Sequence, residues 1–537
     1  MAFRVKRRAV FSCIPRMVSV RKMVYDSAQR FGTTEETMFC SIYSFSLSGI
    51  DAMLVKVEVD VSNGLPCFDM VGYLAGEVRE ARERVRVALR NSGFAIPAKR
   101  ITVNLSPADE RKGGTAYDLA IAMGILCDMG DLPAELTEGY GMLGELGLDG
   151  SVRAVPGVLP CVIAAKEAGL SAVLLPEANA SEGALVRGIR IYGVKTLQEA
   201  FMHFAGTAAE IEESAAWEPA ESKSNGDFSD IHGQFLAKRA AEIAAAGMHN
   251  LLLCGPPGAG KTMLAERIPG ILPKLSFEES LAITKVYSVA GLLPEGEGMI
   301  RSRPFRAPHH TVTMTALTGG GRTPKPGELS LASGGVLFLD ELPEFPRGSI
   351  EVLRQPLEER KIIVSRLTGS VAYPAAFMLV AAMNPCPCGY YPDRNKCRCS
   401  EEQIHRYENK ISRPILDRID LRVNVPCLPP GDLAGAGTAE SSSEIQRRVE
   451  RARTLQEERY KSTPYRYNSE VPGKAIRGLF SIGAEAEAEG NQYAIRTQCT
   501  ARGYHRMWRV ARTIADLSDS ADITLDHVAE AVTYRMD

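Results

Sequence analysis

The chain has 537 residues, 45% of them apolar and 24% charged, with a formal net charge of −2. That length exceeds what one hydrophobic core organises, so two to four domains are expected, and the ordinary apolar content excludes a disordered or fibrous protein. Near-neutral charge excludes a globally basic nucleic-acid binder and leaves only local basic surfaces for such a partner.

Residues 1–37 open with Arg4, Lys6, Arg7 and Arg8, and Pro15 and Arg16 cut short the apolar stretch that follows, a poor secretory signal. A basic, disordered extension is expected there, with Met38 as an alternative start. From Met38 to about Ala205 the pattern is α+β. Val55, Val57, Val59 and Val61 alternate with charged residues, the period of a half-buried strand. Glu77 to Asn91 reads as an amphipathic helix, Arg100 to Leu105 as a strand and Asp118 to Met129 as a more buried helix. Gly144 to Val155 holds an Asp149-Gly150 turn and predicts a hairpin. Pro160–Ala168 and Ala172–Leu175 read as a helix and a strand. Residues 206–226, rich in Ala, Glu and Ser and without apolar periodicity, read as an acidic linker.

Phe228 to Met248 carries DIHGQ and then the helical FLAKRAAEIAAAG. Next comes LLLCGPPGAGKT: a short apolar strand, then Gly255, Pro256, Pro257, Gly258, Ala259, Gly260, Lys261 and Thr262, the G-x-x-x-x-G-K-[ST] phosphate loop. Such a loop turns backbone N–H groups toward phosphate oxygens at a helix N-terminus. Lys261 is placed to reach the outer phosphates, and the Thr262 hydroxyl to sit on Mg²⁺. The strand VLFL ends in Asp340-Glu341, which suits Asp340 to Mg²⁺ and Glu341 to polarising the attacking water. ATP and Mg²⁺ are therefore the expected cofactors. FMLVAAMNP is another buried strand, ending at Asn384.

Four of the twelve cysteines cluster, Cys386, Cys388, Cys397 and Cys399, which fits a reducing compartment with one structural Zn²⁺ site; the tight C-x-C spacing leaves free thiols or a redox pair open. Adjacent His309 and His310 sit in an apolar-poor stretch, Arg303 to Gly321, that reads as an exposed loop. Lys361 to Ala375 predicts a β-hairpin, with Lys361 and Arg366 offering phosphate-binding charge without sequence choice. No run reaches the ~18–20 apolar residues of a membrane span, so a cytoplasmic protein without membrane contact is expected. The C-terminal part, residues 431–537, opens with a Gly/Ala/Ser-rich hinge. Glu444 to Arg459 and Thr500 to Asp537 then read as charged helices.

The stretches GLPCFDMVGY and KRITVNLSPADERKGGTAYDLAIAMGIL resemble the amino-terminal domain of magnesium-chelatase-like AAA+ proteins of the ComM/YifB type, a domain similar in fold to the Lon proteolytic domain (ribosomal S5 domain 2-like). The resemblance runs from about Met38 to the end. It implies a Lon-like α+β domain (38–205), an AAA+ core with a parallel sheet (227–430) and a C-terminal helical lid (431–537). Where Lon-type sequences place the Ser–Lys dyad, this chain has Ala116 and Leu159 or Pro160, so no proteolysis is implied. Ile231, Gly233 and Gln234 match the family's adenine-covering motif, and Asn384 its first sensor. Arg418 matches its arginine finger, with Arg413 in reserve and a purely structural arginine as the alternative. Arg502 or Arg506 matches the second sensor, which contacts phosphates. The stretch bearing His309 and His310, and the hairpin, correspond to pore insertions that contact DNA. Ser333 stands where the family's His is expected. The implied function is an ATP-induced homohexamer that moves single-stranded or branched DNA, by branch migration or helicase action, in natural transformation and homologous recombination. A regulatory or chelatase-like ring acting on a protein partner is the alternative.

Overall fold

The computed structural model describes residues 40–204, 226–294, 296, 298–321, 324–366, 369–428 and 440–535. The expected basic extension, nearly all of the acidic linker and most of the 431–443 hinge lie outside them. Two compact units divide the chain, the first centred on its amino-terminal part and also including Thr284–Met299, the second holding Glu218–Ile283, Ile300–Arg366 and Ser370–Asp537.

The first unit is built on strands β1 (Cys40–Ser48), β2 (Asp51–Ser62), β3 (Cys67–Val71), β4 (Arg100–Ser106), β5 (Tyr140–Met142), β8 (Ala172–Pro176) and β9 (Arg190–Val194), in the sheet order β3-β4-β2-β1-β5-β8-β9. Antiparallel register sets Val57 of β2 opposite Ile42 of β1 and Leu105 of β4. Val55, Val57 and Val59 are wholly buried, as their period-two spacing predicts. The helix Asp118–Asp128 is buried along nearly its whole length. The helix expected over Glu77–Asn91 is broken at Glu80 into Gly76–Arg79 and Ala81–Asn91. Strands β6 (Glu145–Leu146) and β7 (Val152–Arg153) pair around the Asp149-Gly150 turn, where the Asp149 carboxylate accepts the Ser151 N–H at 3.1 Å. Ala116 and Leu159 or Pro160 stand where the resemblance would place a dyad. Leu159 is wholly buried and donates its N–H to Glu182 Oε1 at 2.8 Å.

The second unit carries a parallel sheet of β10 (Leu251–Cys254), β11 (Phe305–Arg306), β14 (Val336–Leu339), β17 (Met378–Met383) and β18 (Leu421–Asn424), in the order β11-β14-β17-β10-β18. Because all five strands run the same way, their carboxyl ends present the following residues along one edge, where α/β sheets bind ligands. The helix Phe235–Gly247 lays Ala237, Ala240, Ala241, Ala244 and Ala245 into the core. That core continues through the C-terminal helices, with Trp508 and Tyr534 in the same apolar cluster as Leu251 and Val423. Helices Gly473–Leu479 and Ala484–Thr497 were not anticipated. The second opens AEAEAEG, whose alternation has a strand's period; helical propensity and packing override it.

The stretch Arg303–Gly321 corrects the expectation of an irregular loop. Arg303 is buried, Phe305–Arg306 joins the sheet, Met314–Thr318 is a short helix, and Gly319–Gly320 (β12) pairs with Lys325–Pro326 (β13). Residues 311–316 between these elements are mostly exposed. The hairpin expected beyond Lys361 is present as β15 (Lys361–Arg366) paired with β16 (Gly369–Pro374).

Candidate nucleotide site, cysteine cluster and arginine cavity

A cavity of about 410 Å³ at the sheet's carboxyl edge is lined by the phosphate loop, Asp340, Glu341 and Asn384. Lys261 begins the helix Lys261–Arg267 and donates from Nζ to the carbonyls of Gly255 (2.6 Å) and Pro256 (2.9 Å) and to Asn384 Oδ1 (3.1 Å). Burial lowers the Lys261 pKa, and the nearby Asp340 carboxylate opposes that shift. Thr262 Oγ1 donates to Asp340 Oδ2 at 2.8 Å, so the two expected Mg²⁺ ligands already converge. No atom lies within 4 Å of where a side chain on Gly258 or Gly260 would project. The loop therefore leaves room for phosphate oxygens to approach its backbone, and the residues present fit a nucleotide with its metal. Gln234 donates from Nε2 to Pro426 O (2.7 Å) and Ala259 O (3.3 Å), tying the DIHGQ segment to the loop.

Glu341 adopts φ 51°, a left-handed conformation rare for a non-glycine residue and a form of strain that clusters at functional sites. Its carboxylate is half exposed, with Oε2 3.6 Å from His310 Nδ1, and the His310 ring lies 4.0 Å, centroid to centroid, from that of His309. His310 therefore faces the carboxylate expected to activate water. The neighbouring His309 is exposed. Nothing in the sequence spacing could reveal the pairing, because the two residues stand on different segments. Ser333 Oγ accepts the Ala376 N–H at 3.2 Å, which gives the substituted position a local role.

Beside this cavity the four sulfurs of Cys386, Cys388, Cys397 and Cys399 lie within 4.8 Å of one another, with Cys386 Sγ 3.4 Å from Cys388 Sγ and 3.7 Å from Cys397 Sγ. Tetrahedral thiolate–zinc bonds of about 2.3 Å require sulfur spacings of roughly 3.8 Å, so the cluster is close to the size that ion needs. The Tyr391 N–H points at Cys386 Sγ from 3.4 Å, the kind of outer contact that steadies a thiolate. Gly389, within the cluster, has φ 85°, and a Cβ there would fall 2.5 Å from Pro257 Cδ. The cysteine loop thus packs directly on the phosphate loop.

Arg418, Arg502 and Arg506 do not line the nucleotide cavity. They line a second one of about 500 Å³, with Glu358, Arg360, Asp417 and Arg509 among its walls. Neither second-sensor candidate, Arg502 or Arg506, borders the phosphate loop of the same chain. Arg506 is buried and donates to the carbonyls of Leu416 and Ile419, pinning the helix Ala501–Leu517 to the turn before β18. Burial lowers its pKa to about 10, with Asp420 opposing. Burial alone would raise the Asp420 pKa, but His249, Arg506 and Arg509 outweigh it and hold the carboxyl at about 2. Arg502 is half exposed and donates to Glu358 at 2.7 Å, which makes it the freer of the two candidates. Arg413 is exposed on the short helix Arg413–Leu416. Lys361 is exposed on β15; the Arg366 side chain lies outside the described atoms.

A parallel sheet whose carboxyl edge gathers a phosphate loop, an Asp-Glu pair and Asn384, followed by a helical C-terminal region, defines a P-loop ATPase fold of the AAA+ class. Family profiles described as "Magnesium chelatase, subunit ChlI", "Subunit ChlI of Mg-chelatase" and "Magnesium chelatase, subunit ChlI C-terminal" match residues 227–433, 57–179 and 439–535. Competence protein ComM of Haemophilus influenzae is 43% identical over 500 residues, 92% of this chain and 97% of its own length. The uncharacterized protein YifB of Escherichia coli is 42% identical over 495 residues, 92% of this chain and 96% of its own. Lon protease 2 of Bacillus subtilis is 33% identical over 120 residues, only 22% of this chain. The chain belongs to the ComM/YifB family of magnesium-chelatase-like AAA+ proteins, with a Lon-like amino-terminal region. No helix among the described residues is long and apolar enough to cross a membrane.

Proposed function

We propose that this protein is an ATP-hydrolysing ring, a homohexamer assembled on ATP, that moves single-stranded or branched DNA, by branch migration or helicase action during natural transformation and homologous recombination. Lys261 and the phosphate-loop amides bind the triphosphate, Thr262 and Asp340 hold Mg²⁺, Glu341 orients and deprotonates water, and Asn384 senses the outer phosphate. Bound Mg²⁺ would neutralise phosphate charge. One observation carries the assembly: the arginines suited to transition-state charge line a cavity of their own, away from this chain's phosphate loop. Arg418, helped by Arg502, is then useful to the triphosphate of a neighbouring copy.

The DNA assignment is supported by the kinship to a competence protein and by the basic hairpin starting at Lys361. Copies of that hairpin around a ring would make a positive pore in a near-neutral chain. The Lon-like region is proposed to be non-proteolytic, Ala116 and Leu159 offering neither nucleophile nor base. Residues 38–205, 227–430 and 431–537 are the proposed domains, with Cys386, Cys388, Cys397 and Cys399 holding a structural Zn²⁺.

The test is ATP hydrolysis by the purified protein, with and without single-stranded and forked DNA, at two salt concentrations. Strong stimulation that weakens with salt is expected, followed by activity in a branch-migration assay. Hydrolysis indifferent to every DNA would defeat the motor reading. It would favour the alternative of a regulatory or chelatase-like ring on a protein partner, which the magnesium-chelatase profiles support.

A further inference from the structure

Glu358 Oε1 lies 2.7 Å from Arg418 Nη2 and 2.7 Å from Arg502 Nη2, so one carboxylate oxygen holds both guanidinium groups assigned to a neighbour's nucleotide. The arginine cavity is otherwise rich in donors. Arg360, Arg418, Arg502, Arg506 and Arg509 face Glu358, Asp417, Asp420 and Glu470 there. The Nε–H groups of Arg418, Arg506 and Arg509 are buried without hydrogen-bond partners, an arrangement that favours a further anion. Asp420 is engaged by His249 and the Asn250 N–H, and Glu470 by the Arg466 N–H and Arg360. Glu358 is half exposed and sits at the end of the helix Arg354–Glu359. Of these carboxylates it is the most exposed and the one that holds both Arg418 and Arg502, whereas Asp417 lies 3.9 Å from Arg506. That helix ends at Arg360, in a left-handed conformation with φ 57°, and the chain passes straight into β15 of the hairpin.

We propose that Glu358 is an internal counter-anion. It occupies Arg418 and Arg502 until the triphosphate of a second copy displaces it, and movement of the adjoining hairpin on DNA helps to withdraw it. Carboxylate and phosphate compete for the same planar donors, and the terminal phosphate, with up to two negative charges against the carboxylate's one, wins once the carboxylate is displaced from its position. Glu358 is in this scheme a positioning residue: it touches no substrate and sets when the arginines are available. The proposal rests on the reading of Arg418 as an arginine that acts between copies.

The experiment compares full-length wild type, Glu358→Gln, Glu358→Asp, Arg418→Ala and the double variant Glu358→Gln/Arg418→Ala, measuring kcat and KM for ATP with and without forked DNA. Glu358→Gln keeps size and one acceptor oxygen but removes the charge. It should raise the DNA-free kcat by about fivefold, the size of one part-exposed ion pair, leave KM unchanged, and shrink DNA stimulation by the same factor. Glu358→Asp should restore most of the wild-type ratio. Arg418→Ala and the double variant should be equally inactive. A Glu358→Gln protein whose DNA-free kcat is unchanged or lower would overturn the proposal, leaving Glu358 a structural ion pair. If Arg418→Ala hydrolysed ATP at the wild-type rate, the trans-arginine reading itself would fall, whatever Glu358→Gln does.

Discussion

Lys261 spends its three donors on Gly255 O, Pro256 O and Asn384 Oδ1, so it is held ready as a point charge among atoms that a phosphate would supplement. Lys261→Ala should weaken binding of a fluorescent ATP analogue by roughly 10- to 100-fold, the worth of one charge-assisted hydrogen bond. Unchanged affinity would remove Lys261 from the site. Glu182 poses a different problem in the first unit. Burial raises its pKa, while Ser288, the Leu159 N–H and Asn179 oppose the shift by bonding the carboxylate. A carboxyl whose folded pKa is raised binds more protons folded than unfolded, so its contribution to stability declines as pH rises from the unfolded value through the folded one. Glu182→Gln should therefore gain stability relative to wild type as pH rises above the ordinary carboxylate range. Urea unfolding followed on the first unit measures this, and a gap constant with pH would count against a raised pKa.

The cysteine loop is the element with the clearest mechanical link to the chemistry. Cys386 follows Asn384 by two residues, and Gly389 rests on Pro257 of the phosphate loop. Protein purified without chelator should carry about one zinc per chain by elemental analysis. Stripping it with a chelator under reducing conditions should release the loop to proteolysis near residues 386–399 and lower hydrolysis together. Metal-free protein with full activity would leave the four thiols a packing cluster. The hairpin was legible from its β-branched runs, whereas the edge strand Phe305–Arg306 was not. Two residues pairing with β14 carry no periodicity of their own, and only the neighbouring strand makes them a strand.

At the scale of the whole molecule, the separation of the two cavities makes a strong prediction. Glu341→Gln should bind ATP and hydrolyse it some 10²–10⁴-fold more slowly, the usual worth of a general base. Arg418→Ala should also bind without hydrolysis. Mixing the two should restore measurable ATPase, because a ring then contains interfaces with an intact Glu341 on one copy and an intact Arg418 on the other. Two dead proteins that stay dead together, although they co-assemble, would make Arg418 a structural partner of Glu358.

The sequence by itself determined whatever is contiguous or periodic: the phosphate loop between a strand and a helix, the apolar strands ending at Asp340 and Asn384, the alternating valines of β2 and the four clustered cysteines. Each is read within a dozen or so residues, where local geometry dictates chemistry. Only the tertiary structure decided the relations between distant segments. It set His310 against Glu341, Gly389 on Pro257, Arg506 into the carbonyls before β18, and Glu358 between Arg418 and Arg502. Those contacts depend on strand order and helix packing, which bring together side chains that no spacing along the chain could have matched.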